Sequence, residues 1–312
     1  MTTIKQLSGS ARARHDQRSG STLRLLWPQW QGADPGVVAA LTRELPFDDA
    51  QKGYELGARI LDLIAPSTDG PRATVPVAMS TENLDINDGI YARDVLQTQL
   101  TAALRIIGEH KPERIVTLGG ECSVSVAPFS YLASQYGSDL AVVWMDAHPD
   151  TGLPQTANNG YHAMALSHLL GHGDPAVVAA LPGKLDGSRV ALAGLHSWDP
   201  DQEPFFTEWG LTRFGPDVLN TDPEPLVTWL RDTGSSRVAI HFDVDSIDSS
   251  EIVLGLGQEA GGLTSASAIA TLAAVAETVD VVAITIAEYL PRQVIAMRSL
   301  LSALPLVGDR EQ

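Results

Sequence analysis

Cysteine is almost absent. The 312 residues contain one, Cys122, which excludes an intrachain disulfide and points to a reducing compartment. Long apolar runs are missing too. None approaches the roughly 20 residues that a bilayer-spanning helix needs, and the first twenty residues carry no apolar segment of the kind a secretory signal requires. Positive charge is scarce: 21 Lys and Arg stand against 38 Asp and Glu, a formal net charge of −17. Nucleic acid and membrane are therefore not expected as partners, because both want a basic or apolar face. A small cation drawn to carboxylates fits better, although surplus acid also serves as a solvated surface. A cytoplasmic protein is the expectation.

What is present is an even spread of apolar residues, 44% of the chain, which favours one continuous core. The one biased segment is 8–20, where three Arg mix with Ser, Gly and Gln. It predicts a flexible tail over residues 1–20 ahead of a single domain over 21–312. Apolar, β-branched runs predict strands at 23–27, 74–78, 114–118, 140–145, 189–195, 238–242 and 281–286. Helical periodicity or spacing predicts helices over 35–44, 50–64, 89–109, 124–135, 164–170, 224–232 and 265–278. Continuous rather than alternating hydrophobicity marks strands covered on both faces. Strands alternating with helices give a mostly parallel sheet between two helical layers, a three-layer α/β/α domain.

In such sheets ligands bind beyond the C-terminal ends of the strands. Five strands are followed there by acids, imidazoles or a thiol: Glu121 and Cys122; Asp146, His148 and Asp150; His196 and Asp199; Asp243, Asp245 and Asp248; and Glu288. Asp146, His148 and Asp150 are spaced two apart, and in extended chain such residues project from one side. Asp243 and Asp245 repeat the pattern. Four carboxylates brought together repel unless cations neutralise them, and two divalent ions do so. Oxygen-rich ligation with imidazole favours Mn²⁺ over a thiolate Zn²⁺ site. Acids that merely cap loops after strands are the competing explanation.

Three blocks carry a resemblance. Gly119-Gly120-Glu121-Cys122-Ser123, Asp146-Ala147-His148-Pro149-Asp150 and Asp243-Val244-Asp245-Ser246-Ile247-Asp248 resemble, in order, the signature blocks of the ureohydrolase superfamily of arginases and agmatinases. The resemblance implies an arginase-like fold and a binuclear metal hydrolase that splits a guanidino group into urea and an amine. It implies that Asp146 and Asp243 bridge the two ions, that Asp150 completes the first site, and that His148 and Asp245 complete the second. The first-site histidine of the family is replaced here by Cys122. A thiolate is softer than imidazole and admits Zn²⁺, Fe²⁺ or Co²⁺ where Mn²⁺ is otherwise favoured.

The resemblance extends to the substrate. Asn158-Asn159-Gly160-Tyr161-His162 is similar to the loop in which arginases hold the substrate carboxylate and place a catalytic histidine, with one residue fewer after Asp150. It implies Asn158 and Asn159 as substrate contacts and His162 as proton shuttle. Asp199 matches the acid that meets the α-amino group, Glu288 the acid that pairs with the guanidinium, and Asp248 an acid that stabilises the tetrahedral intermediate. Ser249 and Gly257 replace the family's usual Pro and Thr. The implied substrate is arginine or a modified arginine such as Nω-hydroxyarginine. An agmatinase, guanidinobutyrase or formiminoglutamase activity stays open, as does a non-catalytic regulatory subunit. A homo-oligomer, trimer or hexamer, is implied by resemblance alone.

Overall fold

The structure is a computed structural model that describes residues 21–42, 50–154 and 158–308; the tail expected over 1–20 lies outside them. Its ten strands, in chain order, are β1 (Thr22–Trp27), β2 (Arg72–Thr74), β3 (Ile86–Asn87), β4 (Ile90–Tyr91), β5 (Arg114–Gly119), β6 (Leu140–Met145), β7 (Val190–Ala193), β8 (Thr212–Phe214), β9 (Arg237–Asp243) and β10 (Asp280–Ala287). Eight form one sheet in the order β2-β1-β5-β10-β9-β6-β7-β8, and every neighbouring pair in it is parallel. All strand ends that carry chemistry therefore face the same way.

Alternate side chains enter separate cores on the two faces, as strand geometry dictates. On β6, Val142 and Trp144 join Leu96 and Phe129 on one face, under the helices Arg93–His110 and Val126–Tyr136. Ala141, Val143 and Met145 join Leu61, Leu272 and Met297 on the other, under the helices Gly53–Ile64, Ser265–Thr278 and Val294–Ala303. This is the expected three-layer arrangement.

Local differences from the expectations have local causes. The strand expected at 74–78 is instead Arg72–Thr74; its pairing ends at Val75, whose N–H donates to Leu26 O at 2.9 Å, because the next ladder bond would be donated by residue 28 to Val75 O and Pro28 has no N–H. The helix expected from residue 89 starts at Arg93, since Asp88 and Gly89, both at positive φ (51° and 84°), form the two-residue turn of a β3–β4 hairpin. The helix expected over 35–44 runs Pro35–Leu41, and residues 43–44 lie outside the described chain. Cys122–Ser125 is a 3₁₀ turn before the helix Val126–Tyr136. Among the described residues, no helix is long and apolar enough to cross a membrane.

Candidate metal centre

The centre forms where β5, β6, β9 and β10 run out. β6 and β9 are adjacent, with Met145 opposite Phe242, so Asp146 and Asp243 emerge side by side on the face of Trp144. The turns are set by the carboxylates themselves. Asp146 Oδ1 accepts from His148 N at 2.7 Å, and Asp243 Oδ1 accepts from Asp245 N at 2.8 Å. Each acid thus folds the following residues back beside it, as Asx turns do. On β5 the chain turns at Gly120, where a Cβ would stand 1.6 Å from Gln29 O; only glycine fits, and Cys122 is thereby delivered to the same place.

Two groups of candidate ligands result, and they share Asp146. Donor atoms of Cys122, Asp146, His241 and Asp243 lie within 4.8 Å of one another, as do those of Asp146, His148 and Asp245. Cys122 Sγ is 3.0 Å from Asp243 Oδ2 and 3.5 Å from Glu288 Oε1. His148 Nδ1 is 3.2 Å from Asp245 Oδ2 and 3.5 Å from Asp146 Oδ1. Asp150 is buried beside these groups, at a φ of +49°, and its Oδ2 has no hydrogen-bond partner.

The electrostatics are those of crowded acid. Burial, and then the charges of Asp245 and Asp146, push the Asp243 carboxyl well up; burial and Asp146 do the same at Asp150. Burial raises the Cys122 thiol, reinforced by Asp150 and Asp243. Glu288 is pushed up to about 7, by burial above all and by Asp245, against a hydrogen bond from Tyr54. At Asp146 burial acts in the same direction, but the imidazoles of His148 and His241 beside it win and hold it low. A divalent cation relieves all of these together, and the donors are carboxylate, imidazole and one thiol. The residues fit a metal centre.

Above the centre lies a cavity of about 320 Å³. Seven acids line it, namely Asp150, Asp199, Asp201, Asp243, Asp245, Glu259 and Glu288, and among the described residues no Lys or Arg does. His162 lines it half-buried, with Nδ1 3.0 Å from Gly32 O. Asn158 lines it and accepts from Gly160 N through Oδ1 at 2.8 Å. Glu288 lies at a φ of +64°, with its Oε1 3.2 Å from Cys122 N. Gly257 packs against the centre so closely that a Cβ would stand 2.3 Å from Asp245 Oδ2.

Two expected residues are placed elsewhere. Asn159 does not line the cavity, and its carbonyl accepts from Tyr91 N at 2.9 Å. Asp248 is also outside it: it follows the 3₁₀ turn Val244–Ser246, and its Oδ1 accepts from Ser250 N and Oγ at 2.8 and 2.7 Å. Conversely, Tyr54, Glu259 and His241 escaped the sequence reading. Tyr54 and Glu259 come from segments with no motif. His241 did carry a signal, because it sits two residues before Asp243 on the same strand face.

Comparison with known proteins agrees with this geometry. A family model described as "Arginase family" matches residues 67–308. The arginase of Eremothecium gossypii is 30% identical over 188 residues, 56% of this chain and 46% of that protein. The arginase of Bacillus caldovelox is 30% identical over 158 residues, 48% of this chain and 52% of that one. The matches to these curated relatives thus span about half of their length. The solved structure of the Bacillus caldovelox arginase superposes with a TM-score of 0.72 at 19% identity, covering 94% of this chain and 100% of that one, which shows the shared fold. With the family model spanning most of its length, the chain belongs to the arginase family.

Proposed function

We propose that this protein is a binuclear metal-dependent amidinohydrolase that cleaves the guanidino group of arginine, or of a modified arginine such as Nω-hydroxyarginine, to give urea or a urea derivative and an amine. One observation carries the reading: a cavity of about 320 Å³, lined by seven acids and no Lys or Arg among the described residues, opens on two ligand groups that share Asp146. That is a receptacle for a small cation beside a centre for divalent ions.

Two ions, Mn²⁺ by the oxygen-rich donors and Zn²⁺, Fe²⁺ or Co²⁺ beside the thiol, would be held by Cys122, Asp146, His148, Asp150, Asp243 and Asp245. When bound they supply the positive charge that acidifies water at neutral pH. Glu288 binds and orients the guanidinium by charge-assisted hydrogen bonds. A carboxyl that sits near 7 by itself is drawn back to its ionised form by an incoming cation, so substrate and Glu288 stabilise each other's charge. His162, its Nδ1 held by the Gly32 carbonyl, passes a proton to the leaving amine from the other ring nitrogen. Asn158 and Asp199, which also line the cavity, hold the amino-acid end, with Asp199 facing an α-ammonium.

The test is a substrate panel on the purified full chain loaded separately with Mn²⁺ and Zn²⁺. Arginine, Nω-hydroxyarginine, agmatine and guanidinobutyrate are assayed for urea, and formiminoglutamate for formamide. Urea from an amino-acid guanidine is expected. Turnover of agmatine alone overturns the substrate assignment, and no product from any guanidine overturns the hydrolase reading. A trimer or hexamer is expected by light scattering.

A further inference from the structure

We propose that His241 is a metal ligand that takes the inner-site place the resemblance gives Asp150, so that the inner cation is held by Cys122, Asp146, His241 and Asp243 and is a borderline-soft ion rather than Mn²⁺. The proposal rests on reading the cluster as a metal centre, and it concerns which atoms complete it.

His241 is fully buried, and every contact it makes fixes its ring. It lies opposite Trp144 across the β6–β9 ladder and stacks on that indole, with centroids 3.8 Å apart and planes within 10°. Nδ1 is 2.8 Å from Ser125 Oγ, on the same 3₁₀ turn that delivers Cys122. When Nδ1–H donates to Ser125, the lone pair sits on Nε2. Nε2 has no hydrogen-bond partner and faces Asp146 Oδ2 at 3.7 Å. An imidazole whose second nitrogen is tethered and whose first is bare among anionic donors is arranged as metal ligands are.

The separations suit a cation. With bonds of roughly 2.0–2.3 Å, the donors of a tetrahedral site stand about 3.3–3.8 Å apart. Nε2 to Asp146 Oδ2 is 3.7 Å and Cys122 Sγ to Asp243 Oδ2 is 3.0 Å, and all four donors lie within 4.8 Å of one another. His168 provides the contrast. It too is buried with Nδ1 bonded and Nε2 unpartnered, but its ring faces Tyr161 at 4.6 Å and it belongs to neither ligand group. A bare Nε2 is not the signal by itself; three other donors gathered round it are.

The exchange has a chemical logic. Position 122 offers a thiol where the resemblance expects imidazole, and β9 returns an imidazole from the opposite wall. One nitrogen, one sulfur and two carboxylates form a tetrahedral set that favours Zn²⁺, Fe²⁺ or Co²⁺. The outer group, Asp146, His148 and Asp245, has no sulfur and stays open to Mn²⁺.

The experiment measures metal rather than turnover. Chelator-treated full chain is loaded with Zn²⁺, and ions per chain are counted after gel filtration for wild type and His241→Phe, a change that keeps the stack on Trp144. Wild type is expected to hold two Zn²⁺, and the variant to hold one, its inner-site affinity down by more than about 100-fold. Histidine-selective ¹⁵N NMR of wild type before and after Zn²⁺ covers the case in which the variant does not fold: one buried Nε2 resonance, assigned to His241 through its contacts with Trp144, should move to a metal-bound position. A folded His241→Phe that keeps two Zn²⁺ with unchanged affinity, or a His241 Nε2 resonance unmoved by Zn²⁺, overturns the proposal. Neither result bears on urea release, so the hydrolase reading stands or falls separately.

Discussion

The two ends of the sheet treat acid in opposite ways. At the N-terminal edge two carboxylates have basic partners: Asp280 takes Arg114 at 2.7 Å, and Asp139 takes Arg237 together with the N–H of Ser236. At the C-terminal edge Asp146, Asp150, Asp243, Asp245 and Glu288 crowd together without a single Lys or Arg in the cavity wall of the described residues. The first end is neutralised by the chain itself. The second is left to be neutralised from outside, and that difference separates scaffold from site within one sheet.

The comparison breaks most easily at the acid both ligand groups share. Asp146→Asn should lower urea release by on the order of 10³-fold or more and reduce the ions retained per chain, as read by a urea assay with metal analysis. Full metal content in that variant would place the acids in the same structural class as Asp139 and Asp280. Between the two ends, His168 tests the interior. Burial holds its imidazole down to about 4, against a hydrogen bond to Met164 O. A depressed histidine favours the fold while both states are neutral, and the advantage is lost once the unfolded chain alone takes a proton. Stability should therefore fall by about 3 kcal/mol as pH drops from about 6.5 to about 4. Denaturant unfolding across that window checks it, and His168→Asn should flatten the slope.

Glu288→Gln removes charge but keeps shape. Losing one charge-assisted hydrogen bond, about 1.5–3 kcal/mol, should reduce kcat/KM for a guanidine by roughly 10–100-fold while metal content holds. The smallest effect belongs to the neutralised end. Arg114→Met should cost about 1 kcal/mol or less, because its partner Asp280 is a third exposed, and metal content should not change. A loss of bound metal there would show the two ends to be coupled.

The spacing of two in Asp146-His148-Asp150 and Asp243-Asp245 was legible because a strand's period is two and sheet topology brings strand ends together. The same rule reached His241, yet a strand-interior imidazole reads as core until its neighbours across the ladder are known. Asp248 went the other way: its role was implied by resemblance rather than by spacing, and its carboxylate is bonded to Ser250 outside the cavity. β8 is three residues long, too short for a periodic signal. Tyr54 reaches Glu288 from a helix distant in sequence, which no local pattern encodes.

Asp150 and Glu288 both hold left-handed backbone, at φ of +49° and +64°, a region that costs a residue with a Cβ about 1–3 kcal/mol. Glycine adopts it freely. An engineer ranking substitutions for heat resistance would thus place glycine at 150 and 288 high on the list, since each swap relaxes the backbone and removes a buried acid. On the function proposed above, both would trade chemistry for a relaxed backbone. A stability screen run without an activity screen would select for erasure of the site, so any thermostable variant of this chain should be built with those two positions held fixed.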